Sequence, residues 1–366
     1  MNIYQHVENV VRELDSKLLL ATLAAARGHQ VIVSDIESIE KGIKRGALPP
    51  GIFHTKSLTP SAEKIARHQT MIDNGTMITS IDEEGGLIMN TYDRHASVRY
   101  SEHTIEQASA IFGWGPQDVE FLKKFYSKHS TKIHKTGSPR ADLWKSFFSD
   151  YWGIPKGVPK KPFLLVVSNM SYANYDKPFH DIITSNRKSG YFHHDPKLFL
   201  DNFHVAAEDY RKTAAFIEAV KHLSENNNGY DIVFRPHQNE NLDSWKIYLE
   251  GIPNVHVIRE GSITAWVNNA FAVMHNSCTT AFEATVSQKP LVTYIPFEQE
   301  HGYELPNGLG YRVMSKEELL NKVNDLFDDI KIGDQKNLDK PIPEQVSKKI
   351  FIDKSELAAE KIIKVW

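Results

Sequence analysis

Cysteine is almost missing: Cys278 stands alone in 366 residues. That excludes an internal disulfide and any multi-cysteine zinc site, and it agrees with a reducing compartment. Also missing is any apolar run approaching the roughly 20 residues needed to cross a bilayer. The opening stretch MNIYQHVENVVREL lacks the charged-then-apolar pattern of a signal peptide. The expectation is a cytoplasmic protein, with peripheral attachment at the inner face of a membrane through a local basic patch left open. There is no basic excess, since the formal net charge is -3, and this argues against nucleic acid as the main partner. Internal repeats and low-complexity tracts are absent as well. What remains is 41% hydrophobic and 24% charged, an ordinary globular balance in a chain long enough for two domains.

Helix and strand alternate along the sequence. DSKLLLATLAAARGH predicts a helix with Asp15 or Ser16 as N-cap and Gly28 at its end, followed by the strand QVIVSD. Further strands are predicted at TMITSID (76–82), SAIFGWG (109–115) and TKIHKTG (131–137), with helical stretches between them. Such spacing implies parallel βαβ units and a Rossmann-like first domain over residues 1–152. The proline- and glycine-rich stretch at 153–162 reads as a linker. Alternation resumes over 163–340 with PFLLVVSNM, a helix at about 204–225, YDIVFRPH, NVHVIRE, AFAVMHN, a helix from CTTAFEATVSQ, and PLVTYIP. Residues 186–203 are longer than a usual connection and read as a loop over a cleft. The helix within 341–366 is expected to pack back on the first domain. The predicted fold class is therefore α/β, with two Rossmann-like domains facing each other across a cleft, and ligands belong at the carboxyl ends of their strands.

Four such ends carry unusual chemistry. In SIDEEGG, Asp82, Glu83 and Glu84 follow a strand, and Gly85 and Gly86 allow a sharp turn. Adjacent acids can raise one another's pKa, as a general acid or base requires, although an acidic turn with a helix cap has the same composition. In HKTGSPRADLW a tight loop presents Arg140 and Asp142, and Asp142 is placed to cap a helix starting at Leu143. In FRPHQ, Arg235 and His237 flank Pro236 and can both donate to an anion. In MHNSCTTAFEA, Asn276, Ser277, Thr279 and Thr280 end a strand and open a helix, where free N–H groups favour a phosphate.

In combination these residues resemble the bacterial sialyltransferases and Kdo transferases of GT-B architecture. Those enzymes pair a (D/E)-(D/E)-G motif in the first domain with an HP motif and a Ser/Thr motif in the second. Here EEG stands at 83–85, RPHQ at 235–238 and SCTT at 277–280, with Gln238 where the motif has proline. RELDSKLLLA, PPGIFHTKSL, GSPRAD, SNMSYAN and HNSCTTAFEA add to a likeness to the surface-carbohydrate biosynthesis proteins that include retaining β-Kdo transferases.

The resemblance implies transfer of a 2-keto sugar acid, Kdo foremost, from its CMP-activated donor to a surface-polysaccharide or glycolipid acceptor. Arg140, Arg235, His237, Asn276, Ser277, Thr279 and Thr280 would hold the donor. Glu84 or Glu83 would act as acid/base, and Asp142 as a covalent nucleophile if configuration is retained. No metal or other cofactor is expected. A nucleotide-sugar 2-epimerase, a CDP-glycerol-type phosphotransferase and a non-catalytic module of a polysaccharide assembly complex stand as alternatives.

Overall fold

A computed structural model describes residues 1–87, 92–188, 192, 197–331 and 341–366. Two compact units emerge, Met1–Phe148 with Pro341–Trp366, and Ser149–Lys340. Each is built on a six-stranded, wholly parallel sheet covered by helices. Among the described residues no helix is long and apolar enough to cross a membrane.

The first unit runs β1 (Asn2–His6), α1 (Val10–Ala25), β2 (Gln30–Ser34), α2 (Ile36–Lys44), β3 (Ile52–Thr55), α3 (Ala62–Asp73) and β4 (Met77–Ile81). It continues with α4 (Asp93–Arg99), α5 (Glu102–Gln107), β5 (Ala108–Gly113), α6 (Pro116–Phe125), β6 (Ile133–Lys135) and α7 (Pro139–Asp142). Sheet order is β2-β1-β3-β4-β5-β6. Two of these strands, β1 and β3, are absent from the sequence-based reading, because polar residues interrupt their apolar runs. The first helix also begins earlier than predicted. Its N-cap is Asn9, whose side chain accepts from the Arg12 N–H, so Asp15 and Ser16 lie inside the helix and Arg12, Glu13 and Lys17 belong to it.

The second unit comprises α8 (Ser149–Trp152), β7 (Phe163–Val167), α9 (Phe179–Lys188), α10 (Lys197–Asn226), β8 (Asp231–Arg235), α11 (Leu242–Tyr248) and β9 (Val255–Val257). Then follow α12 (Ile263–Asn269), β10 (Ala272–His275), α13 (Thr280–Val286), β11 (Leu291–Tyr294), α14 (Glu304–Asn307), β12 (Tyr311–Val313) and α15 (Lys316–Lys331). Sheet order is β12-β11-β10-β7-β8-β9. The sequence FLLVV of β7 is buried at all five positions because a central parallel strand is covered on both faces. The predicted loop at 186–203 is in part helix: 186–188 close α9 and 197–203 open α10, while 189–191 and 193–196 lie outside the described residues.

The chain ends with α16 (Glu344–Lys349) and α17 (Ala358–Val365), both part of the first unit. Lys349 is only 2% exposed; its ammonium lies over the Tyr92 ring, 4.2 Å from the centroid, and 3.5 Å from the Gly86 carbonyl. It thereby braces the turn that follows β4.

Candidate functional site

In each sheet the order in which strands are added reverses once, and loops leaving the strands on either side diverge to open a crevice at their carboxyl ends. In the first unit this switch lies between β1 and β3, and in the second between β7 and β10.

The acidic turn follows β4 in the first unit. Asp82 is its structural hub: its carboxylate accepts from the Glu84 and Gly85 N–H groups at 2.9 and 3.3 Å. It also takes the Arg99 guanidinium in bidentate fashion at 2.7 and 3.0 Å, and its carbonyl accepts from Trp114 Nε1 at 2.7 Å. Gly85 and Gly86 both have φ of +59°, and a Cβ on Gly85 would come within 2.9 Å of the buried Trp114 ring. Only glycine fits that geometry without strain.

The two glutamates differ. Glu83 is sealed, with Lys17 Nζ 3.0 Å from Oε1 and side chains only 5% and 3% exposed. Glu84 is 50% exposed and lies 2.9 Å from Arg12. Arg12 and Lys17 come from α1, as does Glu13, which is wholly buried and 3.0 Å from Lys56. Burial pushes the Glu13 carboxyl up, but the Glu8 N–H and Lys56 outweigh it and leave it below the ordinary carboxylate range. A network of α1 and the β3 end thus supports the acidic turn. Sequence reasoning missed Arg12, Glu13, Lys17, Lys56 and Arg99; the signal was the i, i+4 spacing of Glu13 and Lys17 on one helix face.

Asp142 does not cap a helix at Leu143. It closes α7, whose N-cap is Ser138, and its carboxylate accepts from Lys145 Nζ at 2.8 Å and from the Ala359 N–H of α17 at 3.2 Å. At 2% exposure the carboxylate is covered, and burial raises its pKa against the pull of Lys145. Arg140 sits with its guanidinium 5.7 Å from the Trp144 ring centroid, a cation–π distance.

In the second unit Arg235 is 7% exposed, and its guanidinium donates to the Glu260 carbonyl at 2.8 Å and to the Gly261 carbonyl. Burial lowers its pKa to about 10. The side chain predicted to meet an anion therefore ties β8 to the loop after β9. His237 is half-buried; its Nδ1 accepts from the Asn239 N–H at 3.2 Å, which leaves the ring proton on Nε2 in the neutral form. Glu240, which sequence reasoning also missed, is fully buried and accepts from Ser168 Oγ, the Met170 N–H and Trp245 Nε1 at 2.7, 2.7 and 2.6 Å. It buckles the RPH turn to the end of β7.

Across the switch, Asn169 Nδ2 donates to the Ser277 carbonyl at 2.6 Å. Ser277 adopts a left-handed φ of 51°. Its N–H donates to Asn307 Oδ1, and its Oγ accepts from the Tyr303 N–H and Asn307 Nδ2 at 3.1 and 2.9 Å. Asn276 donates to the Tyr294 carbonyl at 2.7 Å, while its buried Oδ1 has no partner among the described residues. Thr280 is buried and accepts from the Cys278 thiol, whereas Thr279 is exposed and makes no side-chain cap. Residues 168–169 thus join the RPH turn to the SCTT segment along one edge of the sheet. Among the described residues no group of three or more His, Cys, Asp or Glu side chains is arranged to hold a metal ion.

No family model matches the sequence, and no curated protein matches it. Solved structures match the fold over the whole chain. The UDP-GlcNAc 2-epimerase from Methanocaldococcus jannaschii is 12% identical, with a TM-score of 0.57, and the match covers 100% of this chain and 98% of that one. The UDP-GlcNAc 2-epimerase from Neisseria meningitidis, bound to UDP-GlcNAc, is 12% identical with a TM-score of 0.51 over 100% and 99%. A wall teichoic acid polymerase is 10% identical with a TM-score of 0.52 over 100% and 87%. At such identities the likeness is one of fold, and with two parallel six-stranded sheets it is the two-domain α/β fold of GT-B type.

Proposed function

We propose that this protein is an enzyme acting on a nucleotide-activated sugar, and that its first chemical step breaks the bond between the anomeric carbon and the nucleotide's phosphate oxygen. The carrying observation is the switch point of the second unit, where Ser277 is locked through its backbone and its hydroxyl. A rigid edge of that kind, with Thr279 exposed at the start of the next helix and His237 in the RPH turn, is suited to receive the leaving phosphate as it takes the bonding electrons. Arg235 shapes the turn and the phosphate falls to His237, Thr279 and the backbone. Glu84 is assigned to proton transfer, with Glu83 and Lys17 holding the turn. Asp142 is assigned to anchoring α17 instead of covalent catalysis.

Two chemistries share that first step. The GT-B neighbours named as UDP-GlcNAc 2-epimerases favour 2-epimerisation, in which the sugar returns to its nucleotide. The order of EEG, RPHQ and SCTT favours transfer of a CMP-linked keto sugar acid to an acceptor; the fold comparisons lend no support to CMP or Kdo in particular. Incubation with UDP-GlcNAc, CMP-Kdo, CMP-sialic acid and CDP-glycerol, followed by chromatography of nucleotides and sugars, separates them. Epimerisation is expected to convert UDP-GlcNAc into its C2 epimer, and transfer to release CMP faster when glycan acceptor is added. A folded protein that turns over none of the three nucleotide sugars, or CDP-glycerol alone, overturns the proposal.

A further inference from the structure

A cavity of about 340 Å³ opens at the switch point of the first unit, lined among others by His6, Thr55, Lys56, Lys64, Arg67 and His68. That volume lies in the range of roughly 300 to 1,000 Å³ typical of small-molecule sites. Most of its charges are already matched. Lys56 is held by Glu8 and Glu13 at 2.6 and 3.0 Å, and Arg67 by Glu40 and Glu63 at 2.7 and 2.5 Å. The Asp35 carboxylate is hydrogen-bonded by the Ser38 N–H and hydroxyl at 2.8 and 2.6 Å, as the cap of α2, and keeps its negative charge.

Lys64 differs. Its ammonium donates to Ser57 Oγ at 2.6 Å, and among the described residues no carboxylate comes within ion-pair distance of it. Asp82 is near enough to influence it but is taken up by Arg99. Burial, then Arg99, pulls the Lys64 pKa down to about 8, so near neutrality a partly buried cation stands without a counter-ion. Beside it, His6 and His68 are 7% and 1% exposed, and the Nδ1 atom of each is sealed without a partner among the described residues. Burial holds both rings neutral, at about 3 and 4, so they add no charge to the wall. The inner wall therefore offers one positive charge outside any ion pair, against the apolar face of Phe53, on which His6 stacks at 5.6 Å.

From this we infer that the pocket binds the anionic group, phosphate or carboxylate, of a monosaccharide-sized molecule, so that the first unit takes a phosphorylated or acidic sugar. A cation already desolvated loses little when an anion replaces the last water, and the anion gains a charge-assisted hydrogen bond. Identifying that molecule as the second substrate rests on the transfer reading above; the binding itself does not.

Calorimetric titration of the full chain with glucose 6-phosphate, glucuronate and glucose tests the inference. At least one anionic sugar is expected to bind 10-fold or more tightly than glucose. Lys64→Gln is expected to weaken it by roughly 10- to 100-fold, the contribution of a hydrogen bond to a charged group, and Lys64→Arg to restore most of it. Binding of the phosphate alone points to a phosphorylated sugar, and of the carboxylate alone to a sugar acid. Equal affinity for glucose, no binding of either anion, or unchanged isotherms in Lys64→Gln overturns the inference, and an anion held in the second unit gives the last of these. Failure of the nucleotide-sugar incubations with these titrations intact would remove the proposed reaction and leave the pocket.

Discussion

Replacing Glu84 by Gln is expected to lower turnover on the nucleotide sugar by a factor on the order of 10² to 10⁴, the contribution of a positioned proton donor or acceptor. Melting temperature should barely move, because the Glu84 pair with Arg12 is half-exposed and such surface pairs contribute about 0–1 kcal/mol. Glu83→Gln separates the other role of the motif. It leaves the Lys17 ammonium buried without its carboxylate, which costs about 3–5 kcal/mol, so this variant should lose stability as well as activity. Adding Lys17→Met to Glu83→Gln should recover part of the stability, since it removes the buried, unpaired ammonium. Kinetics and urea unfolding on the four proteins check the division of labour. Parent-level turnover in Glu84→Gln would reduce the acidic motif to a braced turn.

The second large effect is a loss of stability in mild acid. His6, His68 and His275 are buried, and burial lowers them from the ordinary 6.5 to about 3, 4 and 3. The unfolded chain binds protons at these residues below about pH 6.5 while the folded chain does not, so unfolding takes up protons and stability falls as pH drops. At about pH 5 each contributes roughly 2 kcal/mol of destabilisation, from 1.36 kcal/mol per unit over about 1.5 units. Asp142, Asp209 and Glu240 act in the opposite sense, because burial raises their carboxyls and favours the folded state as they protonate. Asp118, which burial pushes up to about 7, acts in that same sense within the window in which the histidines titrate and offsets part of the loss. Urea unfolding at about pH 7 and pH 5 should show a drop of several kcal/mol, with more than one proton taken up per molecule unfolded. A flat profile would mean that these rings are protonated in the folded protein.

The alternation of helix and strand made the α/β class legible, and β7, β8, β10 and β11 stand close to where their apolar runs place them. What escaped was what the switch points use. Strand β1 carries Gln5 and His6, and β3 carries His54 and Thr55, all buried. Those polar side chains interrupt the apolar pattern, and His6 and Thr55 among them line the pocket at the switch point, so the strands that shape it were the hardest to see. Missing β1 also shifted the start of α1 past Arg12 and Glu13 and hid the partners of the acidic turn. Arg235 shows the converse limit. Its residue type and strand-end position suit an anion, yet its partners are carbonyls at Glu260 and Gly261, more than 20 positions away, which no local pattern reveals. Asp142 reads as a helix cap and is one, but for α17, 217 residues further on.

Thermal melting in the presence of pyrimidine nucleotides tests the central claim most directly. UDP or CMP at about 100 times its dissociation constant should stabilise the protein by about 2.7 kcal/mol and raise Tm in a concentration-dependent way. Thr279→Ala and His237→Ala should each reduce that increment while leaving the ligand-free Tm near the parent value. Unchanged melting with UMP, UDP, CMP and CDP at millimolar concentration, in a protein that unfolds cooperatively, would contradict a nucleotide site in the second unit and the proposed reaction with it.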